Sequence, residues 1–476
     1  MTRRTRGHVS IFATHSGIAG ATFLLAAALA LPAGALAAPS SNAAGNTAPN
    51  KAGAKAAKPA KPARADRAAR ATPSADKARK PEAMARRAAA PAARTAALMS
   101  STPIQAADMA ETRLIDVYRL FGRGKTAEAL EAAEKLVKDQ PNFQLAQLVY
   151  ADLLAARVSP SRSLSDAALV TKFRSSPVLG ELHEESQRRL QSLRDKPPPG
   201  TLPSQFLTLS SRSRYAIAVD ASKSRLYLIE NTAKGSQVVA DYYISVGKLG
   251  IGKLVEGDAR TPLGVYHVTS NLDPKSLRDF YGAGALPINY PNPYDLRRGR
   301  TGGGIWLHGT PPQQFSRAPR ATDGCIVMAN TDLREIIRRI DVGATPVVIA
   351  PSLRWITPQQ AQAEQASFNK VIDGWRDARS TGDEAKLQAF YAPEAQLAKP
   401  RANGTASARR AAEAAAARPR KVELKDLSLL HWKDTDEAMV VTFGEVAEGE
   451  RTGRNRRQYW LLMGGEWKIL QEDLTG

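Results

Sequence analysis

The sequence predicts a multidomain chain: a coreless leader, an α-helical segment, a mostly-β domain and an α+β domain. Three observations predict it. A chain of 476 residues has length for about three domains. The apolar pattern changes from helical spacing to alternation near residue 200, and to a mixed pattern near residue 357. Large apolar side chains are scarce between residues 39 and 100, although 43% of all residues are hydrophobic.

The leader comes first. Arg3, Arg4 and Arg6, an apolar run over 17–31 and Ala35-Leu36-Ala37 read as a secretory signal covering 1–38. This places the mature chain outside the cytoplasm, with the periplasm of a Gram-negative bacterium as the expected compartment. An uncleaved anchor is the alternative reading, but the run is short against the ~20 residues that span a bilayer. No cysteine near the cleavage point allows lipoprotein attachment.

Lys and Arg number 67 against 46 Asp and Glu, a net charge of +21. Such an excess raises nucleic acid or an acidic surface as partner. Its location narrows the choice, since 13 Lys/Arg and 3 Asp/Glu fall between residues 39 and 100, among Ala and Pro and with no aromatic residue. Residues 39–102 therefore read as a disordered basic tether. In an exported protein its counter-charges are anionic lipids, lipopolysaccharide or wall polymers, bound in a salt-dependent way. A solvated linker with no partner fits the composition equally, and nucleic acid falls away as a partner.

Over 103–196 apolar residues recur at helical spacing, as in Leu114-Ile115, Val117-Tyr118, Leu120-Phe121, Ala127, Leu130, Ala133 and Leu136. Gly122 and Gly124 mark a turn, and Gly124-Lys125-Thr126-Ala127-Glu128-Ala129-Leu130 sits where a repeat helix begins. The stretch resembles one tetratricopeptide-like hairpin and part of a second. One repeat cannot bury its own face, so it requires a neighbouring domain or a protein partner; a bare helical spacer is the other reading. Pro197-Pro198-Pro199-Gly200 ends it as a stiff linker.

Residues 212–351 read as a mostly-β domain. Strands are expected at 215–220 and 224–229 around the hairpin Ala221-Ser222-Lys223, then at 238–246, 264–269, 304–307 and 346–350. One helix stands out at 332–340, capped by Asn330 or Thr331, with Asp332 at its positive end. Residues 357–476 read as α+β: a helix over 361–379 with Phe368, Val371, Ile372 and Trp375 on one face, a short helix at 386–391, an Ala/Arg-rich insertion at 399–421, and four strands. Trp375, Ala378 and Gly382-Asp383, with Phe390-Tyr391-Ala392 and the closing Gly465-Glu466-Trp467-Lys468-Ile469, resemble a nuclear-transport-factor-2-like cone.

One cysteine in the chain excludes a disulfide framework, a Cys-based zinc site and an iron–sulfur cluster. No His/Asp/Glu spacing suggests a metal and no glycine signature suggests a nucleotide, so no cofactor is expected. His183, His267 and His431 read as structural or solvated. The informative run is Gly304-Ile305-Trp306-Leu307-His308-Gly309-Thr310, then Thr322-Asp323-Gly324-Cys325-Ile326-Val327-Met328-Ala329-Asn330. It pairs a base candidate, His308, with a nucleophile candidate, Cys325, 17 residues later. A thiol of pKa ~8.5 is mostly protonated at neutral pH, and an imidazole beside it can take the proton or hold an ion pair. Gly324 admits close backbone approach, and amides near Cys325 or at the following helix are candidate oxyanion donors. A buried structural cysteine and a core histidine are the competing reading.

With those residues, 212–351 resembles the catalytic domain of the YkuD-type L,D-transpeptidases, whose motif is a His and then Ser/Thr-His-Gly-Cys. Gly257-Asp258 and Thr261-Pro262-Leu263-Gly264 resemble the family's upstream turn, and Ala285-Leu286-Pro287-Ile288-Asn289-Tyr290-Pro291-Asn292 resembles a lid segment. The resemblance implies Cys325 as nucleophile, His308 as general base, and the Gly309 carbonyl as the group orienting it, a position where lack of a side chain loses nothing. Thr322, Gly324, Arg320, Asn289 and Tyr290 are the implied substrate contacts. Asp323 stands where the family has His, and Val327 where Arg or Asn is common. A carboxylate at 323 opposes thiolate formation unless a cation such as Arg320 offsets it. The implied reaction is ping-pong acyl transfer on peptidoglycan tetrapeptide stems. The thiolate attacks the L-centre carbonyl, D-Ala leaves, and an amine resolves the thioester, giving a 3→3 cross-link or an anchored product. With water as acceptor the enzyme is an L,D-carboxypeptidase, as the pairing with a cone domain in cell-shape enzymes suggests. An inactive wall-binding scaffold is the non-enzymatic alternative.

Overall fold

The computed structural model describes residues 110–158, 176–393 and 420–475. The signal over 1–38, the tether over 39–102, part of the helical segment and most of the 399–421 insertion lie outside the described residues. No helix of the described residues is long and apolar enough to cross a membrane.

Four helices lead: α1 (Ala110–Gly122), α2 (Thr126–Asp139), α3 (Gln144–Val158) and α4 (Pro177–Arg194). Leu114, Val117, Leu130, Ala133 and Leu136 are buried at the i, i+3, i+4 spacing that selects one face. Their core does not close on itself. Phe315 and Ala329, from the β domain, complete it, with the Phe143 and Phe315 rings 4.2 Å apart. Main-chain and side-chain bonds reinforce this contact: Phe315 N–H donates to Asn142 O, and Asn142 Nδ2 donates to Pro312 O. The neighbour that the helical face requires is thus the β domain.

Charge locks the same junction. Arg189 of α4 is buried and reaches Glu111 of α1 and Glu185, both at 2.7 Å, while its guanidinium lies 4.0 Å from the Tyr243 ring. Arg225 binds the same Glu111 at 2.8 Å and also pairs with Asp241. Glu185 in turn accepts from Ser316 Oγ at 2.7 Å.

The β domain contains β3 (Tyr215–Asp220), β4 (Arg225–Thr232), β5 (Gly235–Gly247), β6 (Gly264–His267), β7 (Ala285–Pro287), β8 (Trp306–His308), β9 (Arg320–Thr322), β10 (Ile326–Met328) and β11 (Pro346–Ala350). Strand order is β6-β11-β3-β4-β5-β10-β8-β7, with β9 beside β5. The β3–β4 hairpin forms around residues 221–224, and β8 runs parallel to β10 with Leu307 opposite Ile326 and His308 opposite Val327. Two helices differ from the sequence reading. α5 (Pro293–Arg297) carries an Asn292/Asp295 capping box. α6 (Asn330–Ile337) starts after Ala329, and neither Asn330 nor Thr331 caps it, because each side chain is engaged elsewhere.

The last block has α7 (Pro358–Thr381), started by a Thr357/Gln360 capping box and stopped by left-handed Gly382, and α8 (Glu384–Ala389). Strands β13 (Val422–Lys433), β14 (Glu437–Ala447), β15 (Arg454–Met463) and β16 (Glu466–Leu474) follow. Phe368, Ile372 and Trp375 of α7 pack on one sheet face. This sheet is not confined to 357–476. Its fifth strand is β2 (Phe206–Thr208), and β1 (Leu202–Pro203) pairs with β12 (Trp355–Ile356), so residues left between the expected domain bounds belong to the sheets. A three-residue strand completed by long-range pairing leaves too little periodicity to be read locally. The other face of this sheet, through Leu430, Val440 and Tyr459, covers Ala216, Ala218 and Val348 of the β domain.

Candidate active site

β8 and β10 set the site. Leu307 and Ile326 are fully buried in the central core, and alternation turns Trp306, His308 and Cys325 to the opposite face. Cys325 is half-buried in the turn between β9 and β10. It precedes a strand, so the α6 N-terminus is not its immediate neighbour. The imidazole and the thiol are each hydrogen-bonded to a backbone carbonyl and not to one another: His308 Nδ1 lies 2.7 Å from Gly309 O, and Sγ lies 3.5 Å from Gly304 O. With Nδ1–H donating to Gly309, Nε2 is left as the basic nitrogen.

Gly309 is sterically required. A Cβ there would lie 2.0 Å from Asn330 Oδ1 and 2.9 Å from Ala283 N. Asn330 Oδ1 accepts from Ala283 N and Thr310 N, and its Nδ2 donates to Thr310 O, tying together two loops beside the imidazole. One of these carries the 3-10 turn Asp279–Tyr281. Tyr281 meets the His308 ring edge-on at 5.1 Å, and Phe280 lies at 5.7 Å.

Electrostatics make the resting pair neutral. Burial, followed by smaller effects that include the Arg317 charge, lowers the His308 pKa to about 4. Burial pushes the Cys325 thiol up, against the Trp306 amide at the sulfur and the Arg317 and Lys253 charges; Asp323 adds to the rise. A thiol and an imidazole shifted this way favour proton transfer during attack over a standing thiolate–imidazolium pair.

The implied substrate contacts fare differently. Thr322 is buried; its hydroxyl donates to Cys325 O at 2.7 Å and accepts from Gly324 N, so it shapes the nucleophile turn. This also occupies the Gly324 amide, which is unavailable as an oxyanion donor. Gly324 has φ +129, and a Cβ would lie 2.7 Å from Arg260 O: the close approach is to Arg260, not to substrate. Thr261 Oγ1 donates to Gly324 O and accepts from Gly247 N. Arg320 pairs with Glu184 of α4 at 3.3 Å. The cation on Asp323 is Lys248, at 2.7 Å on the surface. Asn289 accepts from His267 N and donates to Tyr459 OH, and Tyr290, buried, donates to Thr301 O. Asn289 thus links the β domain to the last sheet, and Tyr290 is tied within the β domain.

Sequence reasoning missed Arg317, Phe280, Tyr281, Trp306, Lys253 and Asn330. Lys253 is buried and bonds Asp258 at 2.8 Å. Asp258 also accepts from the Leu254, Val255 and Arg260 amides; against burial, the Lys253 hydrogen bond and then these amides hold its carboxyl down at about 2, so the Gly-Asp turn is an anchor for this loop. Among the described residues no cluster of three His, Cys, Asp or Glu can hold a metal.

Residues 214–349 match the model of the L,D-transpeptidase catalytic domain, YkuD. They are a YkuD domain. The match spans under a third of the chain. Among solved structures, Bd1075 of Bdellovibrio bacteriovorus is 25% identical, with 58% of this chain and 98% of that one aligned at a TM-score of 0.48. The helical cell shape determining protein Pgp2 of Campylobacter jejuni is 20% identical over 61% and 99%, at 0.43. An L,D-transpeptidase from Mycobacterium smegmatis is 13% identical over 29% and 59%, at 0.19. No curated protein matches the chain. The YkuD domain here is thus flanked by a helical segment and a second sheet, and both pack on it.

Proposed function

We propose that this is an exported cysteine L,D-transpeptidase acting on peptidoglycan tetrapeptide stems. The observation that supports the reading is that Cys325 immediately precedes β10, the strand paired in parallel with β8, which carries His308, and that His308 Nδ1 lies 2.7 Å from Gly309 O. His308 Nε2 takes the thiol proton as Sγ attacks the L-centre carbonyl. The protonated imidazole then gives that proton to the departing D-Ala amine, leaving a thioester. A stem amine attacks next and passes its proton to His308, and the thiolate is released and reprotonated. The Trp306 amide, which bonds the resting Cys325 sulfur, is the candidate donor to the oxyanion.

The signal over 1–38 delivers the enzyme to the periplasm, the tether over 39–102 gives it reach and attraction to anionic envelope surfaces, and the tetratricopeptide-like and nuclear-transport-factor-2-like parts brace the catalytic domain. The test is incubation of the purified mature protein with a disaccharide-tetrapeptide, with Cys325→Ala as control and products resolved by mass spectrometry. Cysteine-dependent 3→3 dimers are expected. Tripeptide with free D-Ala alone makes the enzyme an L,D-carboxypeptidase, and no cysteine-dependent product overturns the acyl-transfer reading in favour of a scaffold.

A further inference from the structure

A cleft of about 520 Å³ has walls from two parts of the chain and is linked to the catalytic pair through Phe280, whose ring lies 5.7 Å from that of His308. Gln144 of α3 and Val178 and Leu182 of α4 form one wall; Phe280, Pro311 and Gln314 lie among the residues of the other. The volume falls in the ~300–1,000 Å³ range of sites that enclose small ligands. Arg317 is the cleft's one basic lining residue. Its guanidinium lies 4.5 Å from the Phe280 ring and is close enough to Cys325 and Asp323 to feel both charges.

The carboxylates around the cleft are mostly committed. Of the two that line it, Glu185 serves Arg189 and Ser316, and Glu181, exposed on α4, forms no ion pair among the described residues; nearby, Glu184 serves Arg320 and Asp323 serves Lys248. Arg317 is left with a half-buried guanidinium that forms no ion pair among the described residues. A cation held this way against an aromatic face gains most from an incoming carboxylate, because an ion pair is stronger where water is partly excluded. In a D-Ala leaving group the carboxylate carbon is two bonds beyond the scissile nitrogen, about 4 Å from the carbonyl under attack. A cation next to the nucleophile suits that distance.

We propose that this cleft is a carboxylate-recognising subsite built jointly by the helical segment and the YkuD domain, in which Arg317 binds the free C-terminal carboxylate of the stem peptide. The inference rests on the acyl-transfer reading for its substrate, and makes Arg317 a specificity-determining residue. It also assigns the helical segment a role beyond bracing, since α4 supplies a wall of the subsite.

The test uses the full-length protein carrying Cys325→Ala, so that binding is measured without turnover. Calorimetric titration compares the tetrapeptide L-Ala-γ-D-Glu-meso-diaminopimelyl-D-Ala with its C-terminal amide. The acid is expected to bind about tenfold or more tighter, as a charge-assisted pair implies. Adding Arg317→Ala should abolish the preference, and Arg317→Lys should keep part of it. Val178→Trp, at an exposed wall position, should weaken both ligands. Equal affinity for acid and amide, a preference that survives Arg317→Ala, no binding of either ligand, or indifference to Val178→Trp overturns the proposal. Selective binding with no turnover in the wild type upholds the subsite and removes the reaction; turnover with equal use of acid and amide removes the subsite and leaves the reaction.

Discussion

Asn330 Oδ1 occupies the space that a β-carbon on Gly309 would need, 2.0 Å from where that carbon would sit. The same oxygen holds Ala283 N and Thr310 N, so one side chain joins the strand end that orients His308 to the loop that carries Phe280 and Tyr281. Asn330→Ala should lose about 1–3 kcal/mol of stability through unsatisfied buried amides. It should also lower kcat more than it raises KM. Gly309→Ala should inactivate by displacing the His308 acceptor. Urea titration with steady-state kinetics checks both, and wild-type kcat in either variant would refute the link.

A neutral resting pair predicts slow thiol chemistry in acid. Because burial raises the Cys325 pKa and lowers that of His308, little thiolate exists near pH 6. Iodoacetamide alkylation should be slow there and climb through the alkaline range. Asp323→Asn removes a charge that raises the thiol and should shift the profile to lower pH; Arg317→Ala should shift it higher. A rapid plateau at pH 6 would contradict the assigned directions.

Arg189→Met tests the anchor of the helical segment. Removing the guanidinium leaves buried Glu185 with only the Ser316 hydroxyl, while Glu111 keeps Arg225, and loss of one partner of a buried pair costs about 3–5 kcal/mol. Limited proteolysis should then release the helices before the YkuD domain unfolds. Unchanged stability would show that apolar packing through Phe143 and Phe315 suffices.

Asp332 gives a pH dependence. Burial raises its carboxyl pKa to about 7. Its folded value lies above the unfolded one, so the associated stability is fully present below about pH 4 and is lost as pH rises through about 7. Asp332→Asn should raise the Tm at pH 8 relative to wild type, and much less at pH 5. An equal shift at both values would rule out titration of this group.

Much of the site was legible because its signals are local. His308 and Cys325 sit in a short glycine-marked motif, and the strands carrying them alternate. The helix over 358–381 was readable from Phe368, Ile372 and Trp375, since an apolar stripe is a property of consecutive residues. The residues whose side chains are engaged within the fold share a different cause. Thr322, Asn289 and Tyr290 have side chains that suit ligand contact in sequence, but their hydrogen bonds run to Cys325, His267, Tyr459 and Thr301. Arg317 and Arg320 are three positions apart, in a loop and at the start of β9, and the approach of Glu184 from α4 separates the paired cation from the free one.

By itself the sequence determined the order of helical, mostly-β and α+β blocks, the nucleophile and base candidates, and the backbone carbonyl beside the base. Periodicity and short motifs encode all of these within a few turns or strands of chain. Only the tertiary structure decided that α1–α4 close their core on Phe315, that β2 joins the last sheet, that Lys248 offsets Asp323, and that Arg317 faces an open cleft. Those outcomes depend on which charge and which apolar face find a partner far away in the sequence, and long-range pairing of that kind leaves no periodic trace in the chain.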